Sequence, residues 1–221
     1  MLVRRRTVLA TPLALATPVA LFAQNSDYEL HNAVLEPAEL LGKAGQRMTV
    51  NRPAGAQGRI DVLALRKDVA FSSGVIEVEV AGQPASGAPG GARGFVGIAF
   101  RVQADRKTYD CFYIRPTNGR AEDQERRNHS VQYISHPDFT WEKLRKEYPS
   151  KYETYADMEP AQWVHLRVEV NKEKARLFVN RAQQPTLIVN DLKTGREAKG
   201  QVALWIEGST IGHFANLKIS A

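Results

Sequence analysis

The chain has 221 residues, with 30 lysines and arginines, 24 aspartates and glutamates, and a single cysteine. Residues 1–23 hold three arginines and no acids, so the formal net charge of +6 becomes +3 for the rest of the chain. That modest charge argues against a nucleic-acid partner, which would need a dense basic face. One cysteine excludes an intramolecular disulfide, and Cys111 lies in a strand-like stretch where a half-buried structural role is expected.

The N-terminal segment has the pattern of a secretory signal. Three arginines, at positions 4–6, precede an apolar stretch over residues 8–22, and Ala23 offers a small residue for cleavage. Arg5-Arg6-Thr7-Val8-Leu9 fits the twin-arginine pattern, which is typical of export in the folded state. We therefore predict a signal segment at 1–23, one domain at 24–221, and a periplasmic or secreted protein. A signal segment that is retained would instead anchor the protein to the membrane.

The first elements of the domain read as strands. Residues 24–60 contain two short candidates. Residues 71–80 end in strict alternation, with Ile76, Val78 and Val80 on one side and Glu77 and Glu79 on the other. This alternation predicts a half-buried strand whose glutamates face water. The Gly- and Pro-rich stretch 82–94 then predicts an exposed loop.

The remaining domain continues the pattern of short strands and polar turns, which indicates a sandwich or barrel. Asn171-Lys172-Glu173 has hairpin length. One long excursion, 136–161, interrupts the pattern, and such loops are often functional. Within it we predict a helix at 141–147. The predicted strands are 95–102, 109–116, 130–135, 163–170, 174–180, 201–207 and 214–220.

The closing third carries a family resemblance. The segments are WVHLRVEV at 163–170, ARLFVN at 175–180 and GQVALWI at 200–206, followed by GHFANLKI at 212–219. They resemble the concanavalin A-like lectin and glucanase superfamily, and the ending resembles its 3-keto-disaccharide hydrolase-like branch. The resemblance implies an all-β jelly-roll sandwich of two antiparallel sheets, a fold that serves binding modules and hydrolases alike. The Glu-x-Asp-x-x-Glu strand of family 16 glycoside hydrolases has no equivalent, since Glu77-Val78-Glu79 is its nearest approach.

In this fold the outward face of a concave sheet holds the ligand. If the apolar residues of each strand face the core, the alternate residues face the groove. Aromatic rings there would stack on pyranose C–H faces, and charged groups would bond hydroxyls. The alternative is an ordinary solvated face with cross-strand charge pairs. The predicted groove residues are Arg101, Tyr113, Arg115, Trp205 and Glu207.

The run at 118–129 has the highest density of charged and polar side chains in the chain. Arg127, Asn128 and His129 immediately precede a predicted strand, and His129 could move protons near neutral pH. A solvated charge network is the alternative interpretation. The aromatic residues of the 136–161 excursion, Trp141 among them, would either wall the groove or fix the loop onto the sandwich.

Three functions remain open. The first is carbohydrate binding, with Arg101, Tyr113, Arg115, Arg127, Asn128, Trp141 and Trp205 as binding residues. The second is cleavage of a glycoside, with His129 and Glu207 as catalytic residues. The third is a structural subunit of an envelope complex, held by a protein partner. No cofactor is expected; a structural calcium ion would be ordinary in this fold, although the sequence identifies no metal ligands.

Overall fold

The computed structural model describes residues 27–55, 58 and 60–220 as two antiparallel sheets of seven strands each. The predicted signal segment lies outside these residues. In sheet A, the strands in spatial order are β1 Tyr28–His31, β4 Asp61–Arg66, β13 Gln201–Glu207, β6 Val96–Val102, β7 Tyr109–Ile114, β8 Val131–His136 and β9 Glu153–Thr154. In sheet B, they are β12 Leu187–Val189, β11 Lys174–Val179, β10 Val164–Asn171, β5 Gly74–Pro84, β14 Thr210–Ser220, β3 Lys43–Val50 and β2 Ala33–Leu40.

The jelly-roll sandwich predicted from sequence is therefore confirmed. The strand at 201–207 has the predicted bounds, and the others that were predicted after residue 70 shift by a few residues. The described residues between positions 27 and 60 contain three strands, where the sequence predicted two for 24–60. β4 was missed because DVLALR is nearly continuous in apolar residues and gives no alternation.

The core lies between the two sheets. Ile76, Val78 and Val80 of β5 are buried there, while Glu77 and Glu79 lie on the outer face of sheet B, as the alternation predicts. Ile206 of β13 faces the opposite sheet so closely that a Cβ on Gly212 would come within 2.6 Å of its Cγ2 atom. A glycine at 212 thus permits the close approach of the two sheets.

Two short helices flank sheet A. Helix α1, Gln124–Asn128, is capped at its N-terminus by Asp123, whose side chain accepts a hydrogen bond from the amide of Arg126. Helix α2, Trp141–Glu147, has the predicted bounds and is capped by Thr140 in the same way. No helix in the described part of the chain is long and apolar enough to span a membrane.

The outer face of sheet A is concave. Tyr109 of β7 donates a hydrogen bond to Asp61 of β4, although two strands, β13 and β6, lie between them. The indole Nε1 of Trp205 donates to the same Tyr109 hydroxyl at 3.2 Å. Side chains can meet across two intervening strands only where the sheet curls around them, so we call this surface the concave face.

The middle of the concave face is filled by the protein's own side chains. Trp205, Tyr113, Tyr109 and Cys111 each have 0% exposure, and the rings of Tyr113 and Trp205 are 4.9 Å apart. The expectation that Tyr113 and Trp205 are open to a groove is therefore wrong, because the alternate face of these strands is buried too. Burial also raises the pKa of the Cys111 thiol well above its usual range, which fits an inert structural cysteine.

Arg101 is not on the concave face at all. Its backbone has φ 56°, and the pairing of β6 with β13 shifts register opposite it. The bulge turns the side chain into the end of the sandwich, where it is fully buried. There it donates to the carbonyls of Ser72, Lys172 and Gly195 and lies 3.8 Å from Asp110. Arg101 therefore ties three loops together and does not face a ligand.

Candidate functional site

A cleft of about 810 Å³ opens at one end of the concave face. Its floor is the row of residues next to the buried Trp205 and Tyr113: Glu207 ends β13, Phe95 precedes β6, and Arg115 follows β7. The loop 85–93 forms one wall, so the Gly- and Pro-rich stretch borders a site and is not only a connection. The volume lies within the range of about 300–1,000 Å³ that is typical of small-ligand sites.

Arg115 is the centre of the floor. It is 4% exposed, and it donates to the Tyr113 hydroxyl at 2.8 Å and to the His129 carbonyl at 2.8 Å. Asn118 donates to the same carbonyl at 3.3 Å. Arg115 therefore fixes the end of helix α1 against the floor, and through it the position of His129.

Helix α1 decides which residues of the 118–129 run reach the cleft. Arg126 and His129 are three residues apart, which places them on one side of a helical turn, and both line the cleft. Arg127 points elsewhere, with its Nη2 atom 3.0 Å from the hydroxyl of Tyr155. Asn128 is exposed and accepts a bond from Gln124. The structure therefore brings two residues of this run to the cleft, and the helix that separates them from Arg127 and Asn128 was not predicted.

His129 sits against an ion pair. Its Nδ1 atom lies 2.8 Å from Oε2 of the buried Glu153, at an angle that is poor for a hydrogen bond. Glu153 in turn accepts bonds from Nε and Nη2 of Arg145. Burial, together with the charges of Arg145 and Arg115, lowers the pKa of His129, although Glu153 opposes this effect. The imidazole is therefore favoured in its neutral form, the form that can accept a proton.

Aromatic rings supply the apolar part of the cleft. Phe95 and Trp141 both line it. The guanidinium carbon of Arg145 lies 4.7 Å from the centroid of the Trp141 ring, and that of Arg115 lies 5.8 Å from it. These contacts set the position of Trp141 at the start of α2. The remaining aromatic residues of the excursion lie outside the cleft lining; Tyr152, for example, is 1% exposed and packs on Tyr133.

Glu207 lies on the opposite side of the floor from α1. Its carboxylate accepts bonds from the amide and the hydroxyl of Ser209, and it is 5% exposed. Of the sequence-predicted site residues, the structure thus brings four to the cleft: Arg115, His129, Trp141 and Glu207.

Several cleft residues were not identified from the sequence. Arg52 and Arg93 are isolated arginines in loops, and Arg145 belongs to a helix that was assigned no charge role. Glu153, which contacts His129 and Arg145 from outside the cleft lining, lies in a two-residue strand. Only the fold brings them together, so no local pattern could have indicated them. In the described residues, no group of three or more His, Cys, Asp or Glu side chains gathers as a metal site would require.

Comparison with solved structures supports the fold. The carbohydrate binding module CBM66 from Bacillus subtilis has a TM-score of 0.58 and 13% identity, with 88% of this chain and 96% of that chain covered. A Bacillus subtilis protein of unknown function with a galectin-like fold has a TM-score of 0.55 and 9% identity, covering 88% and 89%. A sialidase has a TM-score of 0.53 and 10% identity, covering 90% of this chain but 17% of that one.

At these identities the similarity shows the fold alone, which is the concanavalin A-like jelly roll that the sequence resembles. The sequence matches no protein-family model. It also has no significant match among characterised proteins.

Proposed function

We propose that this concanavalin A-like jelly roll binds a saccharide in the cleft at the end of its concave face. The single observation that carries the proposal is the cleft itself, in which apolar rings and hydrogen-bond donors converge on one concave surface. Saccharides offer both apolar C–H faces and many hydroxyls, so a site for them needs both kinds of partner. The carbohydrate-binding module of similar fold adds support, although its ligand belongs to that protein.

The position of the cleft supports this proposal over a groove along the whole sheet. In the described part of the chain, Trp205 and Tyr113 close the middle of the concave face, and the row that borders the cleft contains Phe95, Arg115 and Glu207. A short saccharide, or the end of a longer one, fits such a site better than the middle of a long chain.

A glycan panel with the variant Trp141→Ala tests the proposal. The purified domain is expected to bind at least one panel sugar saturably, and Trp141→Ala is expected to weaken that binding tenfold or more. Trp163→Ala is the matched control, because Trp163 lies outside the cleft and donates its Nε1 proton to Leu40. Equal affinity in wild type and in Trp141→Ala would contradict the location proposed here.

A second candidate function is cleavage of a glycoside. The observation that favours it is the line Arg145–Glu153–His129, in which a carboxylate paired with Arg145 lies 2.8 Å from the imidazole of a candidate general base. In a 3-keto glycoside the keto group acidifies the neighbouring C–H, so one base and one charge-stabilising arginine could start an elimination. His129 would remove the C2 proton, with Arg115 near the enolate charge that develops. The C1–O glycosidic bond would then break to leave a C1–C2 double bond, and the departing sugar would take up a proton as its hydroxyl forms. Glu207 lies across the cleft.

Turnover separates the two candidates. Plain and 3-keto disaccharides are incubated with the protein and the products are separated by chromatography. An enzyme is expected to release monosaccharide, and His129→Ala is expected to abolish release while binding remains. Asn128→Ala is the control, since Asn128 is adjacent in sequence but outside the cleft. A protein that binds sugar without releasing product is a binding module.

Export and localisation remain proposals of the same kind. They rest on the twin-arginine-like segment at 1–23, and N-terminal sequencing of the protein recovered from the periplasm would test them. A mature N-terminus near Gln24 is expected. A retained segment would favour a membrane-anchored protein.

A further inference from the structure

The cleft has an unusual charge balance for a site that holds a neutral sugar. The described residues that line it include five arginines and two glutamates, an excess of three positive charges before His129 is considered. The whole domain after residue 23 carries only +3 in formal charge, so positive charge is concentrated in the cleft. The arginines are Arg52, Arg93, Arg115, Arg126 and Arg145.

Three of these arginines, which we call the arginine cluster, have no acidic partner among the residues that the structure describes. Across the described residues, no carboxylate lies within 4.0 Å of the guanidinium group of Arg52, Arg93 or Arg126. Arg145 differs, because Glu153 binds it through two oxygens. The charge of Arg145 is therefore compensated within the protein, whereas the charges of the arginine cluster are not.

The arginine cluster is only weakly satisfied by the backbone. Arg93 donates to the carbonyls of Gly90 and Ala92, and Arg52 donates to that of Gly58 at 3.1 Å. Arg126 reaches the Thr117 carbonyl and the Asn118 side chain only at 3.5 Å, and its Nε atom is buried with no hydrogen-bond partner. Donors of Arg126 are thus left for an acceptor that the described residues do not supply.

Two members of the cluster also repel each other. Burial and the nearby charge of Arg126 lower the pKa of Arg93. Like charges placed together in a concave site raise the local positive potential and attract anions. An anionic group bound between Arg93 and Arg126 would relieve this repulsion and accept the unused donors.

We propose that the saccharide bound in the cleft is acidic, and that its carboxylate is held by the arginine cluster. This inference rests on the proposed function and names the class of its ligand. Guanidinium groups bind planar carboxylates through two parallel hydrogen bonds, which gives both strength and orientation. Phe95 and Trp141 then contact the apolar faces of the sugar that carries the carboxylate. The ligand class is a uronic acid-containing oligosaccharide.

The test uses two pairs of probes, each of which compares an anionic sugar with a neutral counterpart on the same sugar backbone. The first pair is a trimer of galacturonic acid and its full methyl ester; the second is sulfated maltotriose and maltotriose. Binding is measured by calorimetry at low and at high salt. The acid trimer is expected to bind at least tenfold more tightly than its ester, with a preference that shrinks as salt screens the charges.

Variants place the effect in the cleft. The double variant Arg93→Ala, Arg126→Ala is expected to remove the preference for acid over ester. Arg126→Lys keeps the charge but loses the paired donors, so an intermediate preference is expected. Arg176→Ala is the matched control, because Arg176 is an exposed arginine on β11 of sheet B, and it should leave binding unchanged.

Each of the other outcomes contradicts a different part of the proposal. If the ester binds as tightly as the acid and Trp141→Ala weakens both, the ligand is not acidic, but the proposed saccharide site stands. If acid binding survives the double variant, the cluster does not hold the carboxylate. Binding of sulfated maltotriose alone would replace carboxylate by sulfate. Binding of no probe would overturn both the inference and the proposed site.

Discussion

The concave face has a closed middle and an open end, and the two regions are only two residues apart along each strand. In the middle, Trp205 and Tyr113 are completely buried against each other. Two residues further along the same strands or just beyond them, Glu207 and Arg115 form the floor of the cleft. The same face of one sheet is thus a second core at one place and a candidate site at the next.

The two regions differ in the elements that lie over the outer face of sheet A. Over the open end, helices α1 and α2 and the loop 85–93 form walls that keep a cavity. In the middle, Tyr109 and Asp61 join across the sheet and cover the space. Loops at the strand ends, more than the strand residues, therefore decide where a ligand can enter, in keeping with the general role of loops on a rigid scaffold.

Replacing Trp205 by alanine gives the largest expected effect and tests whether the middle is a core. The variant removes a fully buried indole and leaves a cavity, so the free energy of unfolding should fall by about 3–5 kcal/mol. Denaturant unfolding measures the loss. Affinity for a saccharide, measured on the folded fraction, should change much less than in Trp141→Ala. A Trp205→Ala protein of normal stability that no longer binds sugar would contradict the closed middle.

Removing the hydroxyl of Tyr109 should lower the free energy of unfolding by a smaller amount, and it tests the closed middle in a second way. Tyr109→Phe deletes the group that bonds both Asp61 and Trp205, leaving a carboxylate and an indole N–H without this partner. The free energy of unfolding should fall by about 1–3 kcal/mol. Tyr155→Phe is the control, because Tyr155 is an exposed tyrosine whose hydroxyl bonds only at the surface. Equal stability of the two variants would show that the bridge across the sheet contributes little.

Local sequence patterns predicted the strands well because the alternation of Val and Ile with polar residues directly reflects one buried and one exposed face. That logic holds on sheet B, where Glu77 and Glu79 face outward. It fails on β6, β7 and β13, whose residues are buried on both faces. The alternation of residue types along a strand does not show whether an aromatic residue on the outer face packs against another aromatic residue or contacts a ligand.

Two misplaced residues show what else lies beyond local patterns. Arg101 leaves the concave face because a bulge breaks the two-residue period, and bulges depend on the partner strand. Arg127 lies outside the cleft because Gln124–Asn128 form a helix, in which neighbouring residues point in different directions. His129 and Arg115 both line the cleft, because they lie at the ends of two strands, β7 and β8, that pair in the sheet.

The smallest expected effect concerns pH and belongs to the open end. The folded state lowers the pKa of His129 below its ordinary value of about 6.5. The unfolded chain therefore binds a proton at this histidine more readily than the folded chain does. As pH falls through about 6.5, protonation favours the unfolded state and stability declines, and the decline stops once the folded-state pKa is passed. Above about pH 6.5 His129 imposes no such loss.

The variant His129→Gln isolates this contribution. Free energies of unfolding measured at several pH values between about 7.5 and 5 should fall less steeply in the variant than in the wild type. Glu153→Gln removes the carboxylate that partly stabilises the imidazolium, so its stability should fall more steeply on acidification than that of the wild type. Parallel curves for the wild type and His129→Gln would mean that the imidazole titrates as it does in the unfolded chain. Such an imidazole would not be held in its neutral form by its surroundings, which would remove the physical reason for assigning it the role of base at the cleft.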